Sequence, residues 1–371
     1  MRILAVDVGT GTQDILLFDT NREIENCFKL VMPSPTVLVA QAIRRATVQG
    51  QDVLLTGTIM GGGPCAWAAE DHLRAGLKLY ATPFAAQTFD DDLSRVEAMG
   101  VRLVDPPDAA RLDSDLVRIE LKDFYFDAIR EALAAFDLEL EIDALALAVF
   151  DHGAAPPGYS DRRFRFDYLQ EQIGKGTGLT GFAFWRNEIP PRFTRLQALA
   201  DSAPADQPVL IMDTAPAAVV GALEDPRVGE RDNAVVANVG NFHCLAFHLA
   251  DSQIVAVFEH HTGELTREEL VTYLRRLAGG HITNQEVFAD MGHGALVFDP
   301  SVPSPDFFAV VGPRRGLLRG AGLPLYQAVP HGDMMLAGCF GLLRAYAQRD
   351  PVHGTEIAAV LDGTAQARAP W

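Results

Sequence analysis

A two-lobed α/β protein is what this sequence predicts, and three observations carry the expectation. Apolar runs of strand length alternate with helix-patterned segments along the whole chain. A length of 371 residues at 48% hydrophobic content is enough for two separate cores. A turn rich in Gly and Thr follows the first apolar run directly.

Strand-like runs lie, in order, at Ile3–Val6, Ile15–Phe18, Val53–Thr56, Leu77–Ala81, Leu145–Phe150, Val209–Met212, Val235–Val239, Ile254–Phe258 and Phe307–Val311. Three- and four-residue apolar spacing predicts helices over Asp90–Met99, Phe124–Ala135, Ala215–Leu223, Thr266–Ala278 and Met334–Gln348. Thr266-Arg267-Glu268-Glu269 reads as a capping box, which satisfies two backbone donors at that helix start. Ala154–Pro157 and Pro190–Pro208 read as surface connections, being rich in Pro, Ala and polar residues.

Composition narrows the function. With 49 acidic against 31 basic residues the formal charge is -18, which argues against holding nucleic acid or an anionic membrane by bulk electrostatics. Phosphate, if bound, must be held by local devices. No uninterrupted apolar stretch has the roughly 18 residues a membrane-crossing helix needs, and the start at Met1 lacks the pattern of a secretory signal, so a cytoplasmic location is expected. Cys27, Cys65, Cys244 and Cys339 are far apart and show no metal-type or redox-type spacing, which reads as reduced, buried thiols.

The segment from Ile3 to Asp19 is the most informative. It reads as two short strands around a turn at Gly9-Thr10-Gly11-Thr12, where glycine lets backbone N–H groups approach phosphate oxygens and the threonines add hydroxyl donors. Asp7, at the end of the first strand, is placed to hold Mg²⁺ through its waters. An ordinary hairpin whose turn needs glycine would look the same.

This line resembles the first phosphate motif of the superfamily that contains actin, the heat-shock chaperone ATPases and the sugar kinases. Further segments follow in the order that superfamily uses. Val209–Gly221 resembles the strand, Asp and small-residue helix that link the lobes in carbohydrate kinases. Val235–Asn241 resembles the second phosphate hairpin, with Asn238 where the chaperones have Asp, and Asn241 and His243 in place of the usual Gly and Thr. Phe307–Arg315 resembles the turn that meets adenosine, and Gly332–Tyr346 the closing helix. The resemblance implies an actin-like ATPase fold, a duplicated ribonuclease H-like arrangement, with a first lobe over 1–208, an inserted α/β segment at about 50–107 and a second lobe over 209–371. It implies ATP and Mg²⁺ as cofactors, with the nucleotide against Gly9, Thr10, Gly11, Thr12, Gln13, Asn238, Gly240, Asn241, Gly312 and Arg314. Asp213 takes the position of the base that accepts a substrate hydroxyl proton, and Ile142–Gly153 resembles the strand that carries sugar-contacting residues. The chain as a whole is similar to a prokaryotic family related by name to pyruvate formate-lyase activating enzyme. Radical activating enzymes hold their cluster on a CxxxCxxC motif, which this chain lacks.

Read from residues alone, Asp213 precedes a helix of small residues and is equally a helix cap. His152, His260, His261, His293 and His331 each lie in a segment that pairs histidine with Gly or a carboxylate, so hydrogen bonding, proton transfer or metal binding is open to them. Adjacent His260 and His261 must point to opposite faces if the strand continues. Gly61-Gly62-Gly63-Pro64 is a helix start that could hold an anion or merely turn the chain. Asp90-Asp91-Asp92 reads as another helix start, and Arg314 with Arg315 as a phosphate or carboxylate clamp or a surface pair. The expected function is ATP-dependent phosphoryl transfer to a small hydroxylated substrate held near Asp151, His152 and His261. An ATPase switch acting on a partner protein, and a His/Asp metal enzyme without nucleotide, are the alternatives.

Overall fold

The computed structural model describes residues 1–112 and 115–365. Its strands are β1 Arg2–Val8, β2 Thr12–Asp19, β3 Phe28–Pro33, β4 Val53–Gly57, β5 Leu79–Ala81, β6 Arg102–Leu103, β7 Val117–Leu121, β8 Ala144–Val149, β9 Ala183–Trp185, β10 Val209–Asp213, β11 Asn233–Val239, β12 His243–Ala250, β13 Gln253–His261, β14 Gly294–Val297, β15 Phe308–Val311 and β16 Leu325–Gln327. They form three sheets, of which two repeat one plan. In the first, β1, β2 and β3 form an antiparallel meander, β8 joins β1 in parallel, β10 joins β8 in parallel, and β9 closes the edge. In the second, β11, β12 and β13 form the meander with β14 beyond it, then β15 and β16 follow β11 in parallel. With the edge strands β9 and β14 set aside and the remaining five numbered within each sheet, both run 3-2-1-4-5. That is the ribonuclease H-like order occurring twice, the actin-like arrangement.

Burial explains why the central strands read as unbroken apolar runs. Ile3 to Val6, every residue of β8 and every residue of β10 are buried, because helices cover both faces of the sheet. Two of those helices, Thr214–Ala222 and Ala337–Arg349, cross in close contact. A Cβ on Gly221 would overlap Ala337 O, and one on Gly341 would overlap Ala217 O, so small residues at the crossing let the backbones meet.

The lobe boundary expected at 208/209 is not where the sheets divide. β10 pairs with β8 inside the first sheet, and Ala337–Arg349 packs back onto β1 and β8. Strand register is a non-local property, which is why the run at 209 could be assigned to either side. The insertion is also larger than expected. β4 to β7 make a parallel sheet in the order β6-β5-β4-β7 with its own core, to which the helix Pro35–Gln49 contributes Val39, Ala40 and Ile43. Pro190–Pro208 is not a plain connection, since Thr194–Asp201 is helical, and the helix Asp161–Gly174 was not expected. The capping box at Thr266 and Glu269 is formed, and Asp92 caps the helix Leu93–Ala98. Among the described residues, no helix is long and apolar enough to cross a membrane.

Candidate functional site

The two sheets place two turns face to face. In the β1–β2 turn Gly9 donates its N–H to Thr12 O at 2.9 Å, and in the β11–β12 turn Gly240 donates to His243 O at 2.9 Å. The turns approach so closely that Gly11 has no room for a Cβ beside the Asn241 amide. Between them opens a cleft of about 780 Å³, lined by Thr10 and Thr12 from one side and Asn238, Gly240 and Asn241 from the other. Gly312 and Gly338 line a further wall.

Two carboxylates face this cleft. Asp7 and Asp14 are register partners across β1 and β2, and both are buried. Thr214 donates its hydroxyl to Asp7, and a Cβ on Gly338 would overlap the Asp7 carboxylate at the start of the helix Ala337–Arg349. Burial, and secondarily the charge of Asp213, raise the Asp7 pKa to about 7. Burial and the neighbouring Asp7 raise that of Asp14 to about 8, and Asp14 Oδ1 is buried without a hydrogen-bond partner.

Some expected nucleotide contacts lie elsewhere. Strand alternation puts Thr12 and Asp14 toward the cleft and turns Gln13 away, where its Nε2 donates to Pro33 O at 3.0 Å. Gly312 borders the cleft in the φ +101° conformation that suits glycine. Arg314 is exposed outside the cleft lining, with its backbone N–H bound to Val239 O. Arg315 is not a clamp either, since its Nη1 donates to Gly312 O at 3.2 Å.

Asp213 is engaged by a buried cation and by a helix start. Its carboxylate caps the helix Thr214–Ala222 through Ala215 N–H and pairs with Arg165, whose Nη1 lies 2.6 Å from Oδ2. Arg165 is fully buried and its Nε is 2.7 Å from Glu259 Oε1, so one guanidinium ties a first-sheet carboxylate to a second-sheet one. Burial alone would lower the Arg165 pKa, but Asp213 and Glu259 raise it. With its oxygens engaged this way, Asp213 holds the lobes and a helix start; the role of proton acceptor does not match its surroundings. Asp151 is similarly occupied. Its carboxylate accepts from Arg195 N–H, Leu196 N–H and Gly153 N–H, which fixes the start of the helix Thr194–Asp201.

A second, open cavity of about 960 Å³ adjoins the cleft and shares Gly9, Thr10, Phe150 and His243 with it. The inserted sheet closes one side. Gly61, Gly62 and Gly63 reach the cavity at the start of the helix Pro64–Arg74, and Trp67 sits 6.1 Å from the Phe242 ring of the second turn. Arg195 is paired with Asp123 at 2.7 Å, and Arg162 donates to Gly292 O. Of the residues expected near the substrate, His152 and His261 line this cavity and Asp151 does not.

Three imidazoles meet there. His243, His261 and His293 bring ligand atoms within 4.8 Å of one another. His243 and His261 are register partners on β12 and β13, and His243 stacks on Phe150 at 3.9 Å with an 8° interplanar angle. Burial lowers the pKa of all three, His243 and His293 well below the usual value, so they are neutral near pH 7. His260 points the other way, toward Asp290 O, and His331 lies 3.6 Å from Glu224. A second group, Asp91, His152 and Asp161, also converges within 4.8 Å.

Sequence reasoning did not single out Arg165, Arg195 or Asp14, and read His243 only as a departure from the second hairpin. Pairing β12 with β13 in register would have set His243 opposite His261.

A fold in which two ribonuclease H-like sheets face a cleft between glycine turns is that of the actin-like ATPases. The chain belongs to the family described as "Putative pyruvate format-lyase activating enzyme (DUF1786)", which residues 60–317 match. Similar solved structures include the ROK hexokinase from Thermus thermophilus, at 13% identity over 94% of this chain and 100% of that one with a TM-score of 0.33. A ROK family glucokinase from Streptomyces griseus is 12% identical over 92% and 98% at 0.33. The ethanolamine utilization protein EutJ from Carboxydothermus hydrogenoformans is 12% identical over 92% and 89% at 0.30. No curated protein matches the chain in sequence. The activating-enzyme chemistry in the family's description would call for clustered thiolates, whereas Cys27, Cys65, Cys244 and Cys339 are each buried and unpaired, distributed among three separate cores.

Proposed function

We propose that the cleft binds Mg-ATP and that its terminal phosphoryl group is transferred to a small hydroxylated molecule in the adjoining cavity. The observation that carries this reading is the pair Asp7 and Asp14, two adjacent buried carboxylates with an unpartnered oxygen, set between two glycine turns. A hydrated divalent cation is the group that lets both ionise, so the residues present fit it. Asp7 and Asp14 would hold Mg²⁺ through water. Amides and hydroxyls of Gly9 to Thr12 would cradle phosphate oxygens, with Asn238, Gly240 and Asn241 donating from the opposite lobe and Gly312 beside the base. Magnesium supplies charge neutralisation on the phosphates, which is most of what phosphoryl transfer requires of a protein besides positioning.

This division of labour fits an Asp213 that is already paired with Arg165. Its role becomes orientation of the helix Thr214–Ala222, and with it the Thr214 hydroxyl on Asp7. The acceptor side is lined by His243, His261 and His293, whose pKa values burial lowers, and by Arg162 and Arg195, which suits a small polar molecule. The overall charge of -18 fits poorly with a nucleic-acid acceptor.

The test is coupled ADP release across a panel of polyols, hydroxy acids and sugars. One class should raise turnover well above the acceptor-free rate, and Asp7→Ala should remove both. Slow, acceptor-independent hydrolysis for every compound would replace transfer by an ATPase switch, and no ADP at all would remove the reading.

A further inference from the structure

We infer that His243, His261 and His293 form a binding site for one divalent transition-metal ion, separate from any magnesium on Asp7. The inference stands on the geometry of the three rings and does not depend on nucleotide binding.

The ligands come from three places, the first residue of β12, the last of β13 and the loop before β14, and the sheet brings their ligand atoms within 4.8 Å of each other. Bound zinc would place three nitrogens about 3.3 Å apart, given ~2.05 Å bonds and tetrahedral geometry, so modest ring rotation closes the site. Neighbouring groups already orient the rings. His261 Nδ1 lies 3.0 Å from Met291 O, and because a carbonyl only accepts, Nδ1 carries the proton and Nε2 keeps its lone pair. His293 is 4% exposed, its Nδ1 has no hydrogen-bond partner, and that nitrogen lies 3.6 Å from Glu259 Oε1. A carboxylate behind a histidine is how many metal sites fix their ligand rings. Phe150 stacks flat on His243 and limits its tilt.

Most of the nearby positive charge is matched, although Arg162, which donates to the Phe288 and Gly292 carbonyls, faces the same cavity and acts on His261. Arg165 is matched by Asp213 and Glu259, and Arg195 by Asp123. Three imidazoles favour zinc, cobalt or iron over magnesium, which prefers oxygen. Three protein ligands leave a fourth position, and the cavity these histidines line continues past Thr10 into the cleft. An open position facing that passage would take an oxygen of the small molecule bound there.

The experiment uses full-length protein without a histidine tag, stripped with chelator and titrated with Co²⁺. One equivalent should bind with the visible absorption of four-coordinate cobalt. His243→Ala and His261→Gln should each weaken binding at least 100-fold, and His353→Ala, on an exposed residue that belongs neither to the cluster nor to the cavity lining, should not. Equal stoichiometry and affinity in the parent and in both site variants, or no cobalt bound by the parent at micromolar concentration, overturns the inference. Cobalt-edge X-ray absorption of the cobalt-loaded parent gives a check independent of variant folding, with three imidazole nitrogens expected and fewer than two contradicting the site. Mg-ATP thermal shifts on the same samples separate this outcome from failure of the nucleotide reading, since His261→Gln should retain them.

Discussion

The two facing turns share a backbone and differ in chemistry. Each begins with a glycine whose N–H closes on the carbonyl three residues later, Gly9 on Thr12 and Gly240 on His243. Where the first lobe has Asp7, the second has Asn238; where the first has Thr12, the second has His243. The duplicated fold thus supplies the same scaffold twice, while side chains give one lobe the buried acidic pair that suits a hard cation and the other an amide and imidazole wall. Divergence at matched positions of a repeated fold indicates where function separates the halves.

That contrast can be broken most severely at the group joining the halves. Arg165→Ala leaves Asp213 and Glu259 buried without their cation, and should cost about 3–5 kcal/mol in urea unfolding. A loss below about 1 kcal/mol would mean that the guanidinium is not what offsets those two charges. Next in size is the effect of truncating the amide of the second turn. Asn238→Ala should weaken Mg-ATP binding by about 10- to 100-fold, roughly one hydrogen bond to a charged group, as read by calorimetry. Complete loss would make the second turn an equal partner of the first.

The acidic pair also predicts a pH signature. Folded-state pKa values near 7 for Asp7 and 8 for Asp14 exceed the ordinary value of 3.8. The folded state therefore holds protons that the unfolded chain releases, and this contribution is full below pH 4 and lost as pH rises through 7 and 8. Magnesium should accordingly raise the melting temperature more at pH 8.5 than at pH 6, and equal shifts would contradict the assignment. The smallest effect lies away from the cleft: Thr266→Ala removes a capping box and should cost about 1 kcal/mol without altering nucleotide binding.

What was legible in the sequence was local. Glycine turns between apolar runs, and the Thr266–Glu269 box, announce themselves within a few residues because their hydrogen bonds are short-range. Asp213 was legible as a cap for the same reason. What pairs with it was not, since Arg165 lies 48 residues away on a helix whose charged residues do not reveal which one turns inward. The same limit hid β10 from its sheet, because parallel pairing with β8 is decided by register over a long crossover. The histidine cluster lay between these extremes. His261 was visible as a candidate, but only the β12–β13 register and the loop before β14 bring His243 and His293 to it.

Calorimetric titration with ATP, with and without Mg²⁺, on the parent protein and Asp7→Asn bears most directly on the central claim. The account predicts one site per chain in the parent, tight only when magnesium is present, and no measurable heat from the variant. Unchanged, magnesium-independent binding by Asp7→Asn would contradict it.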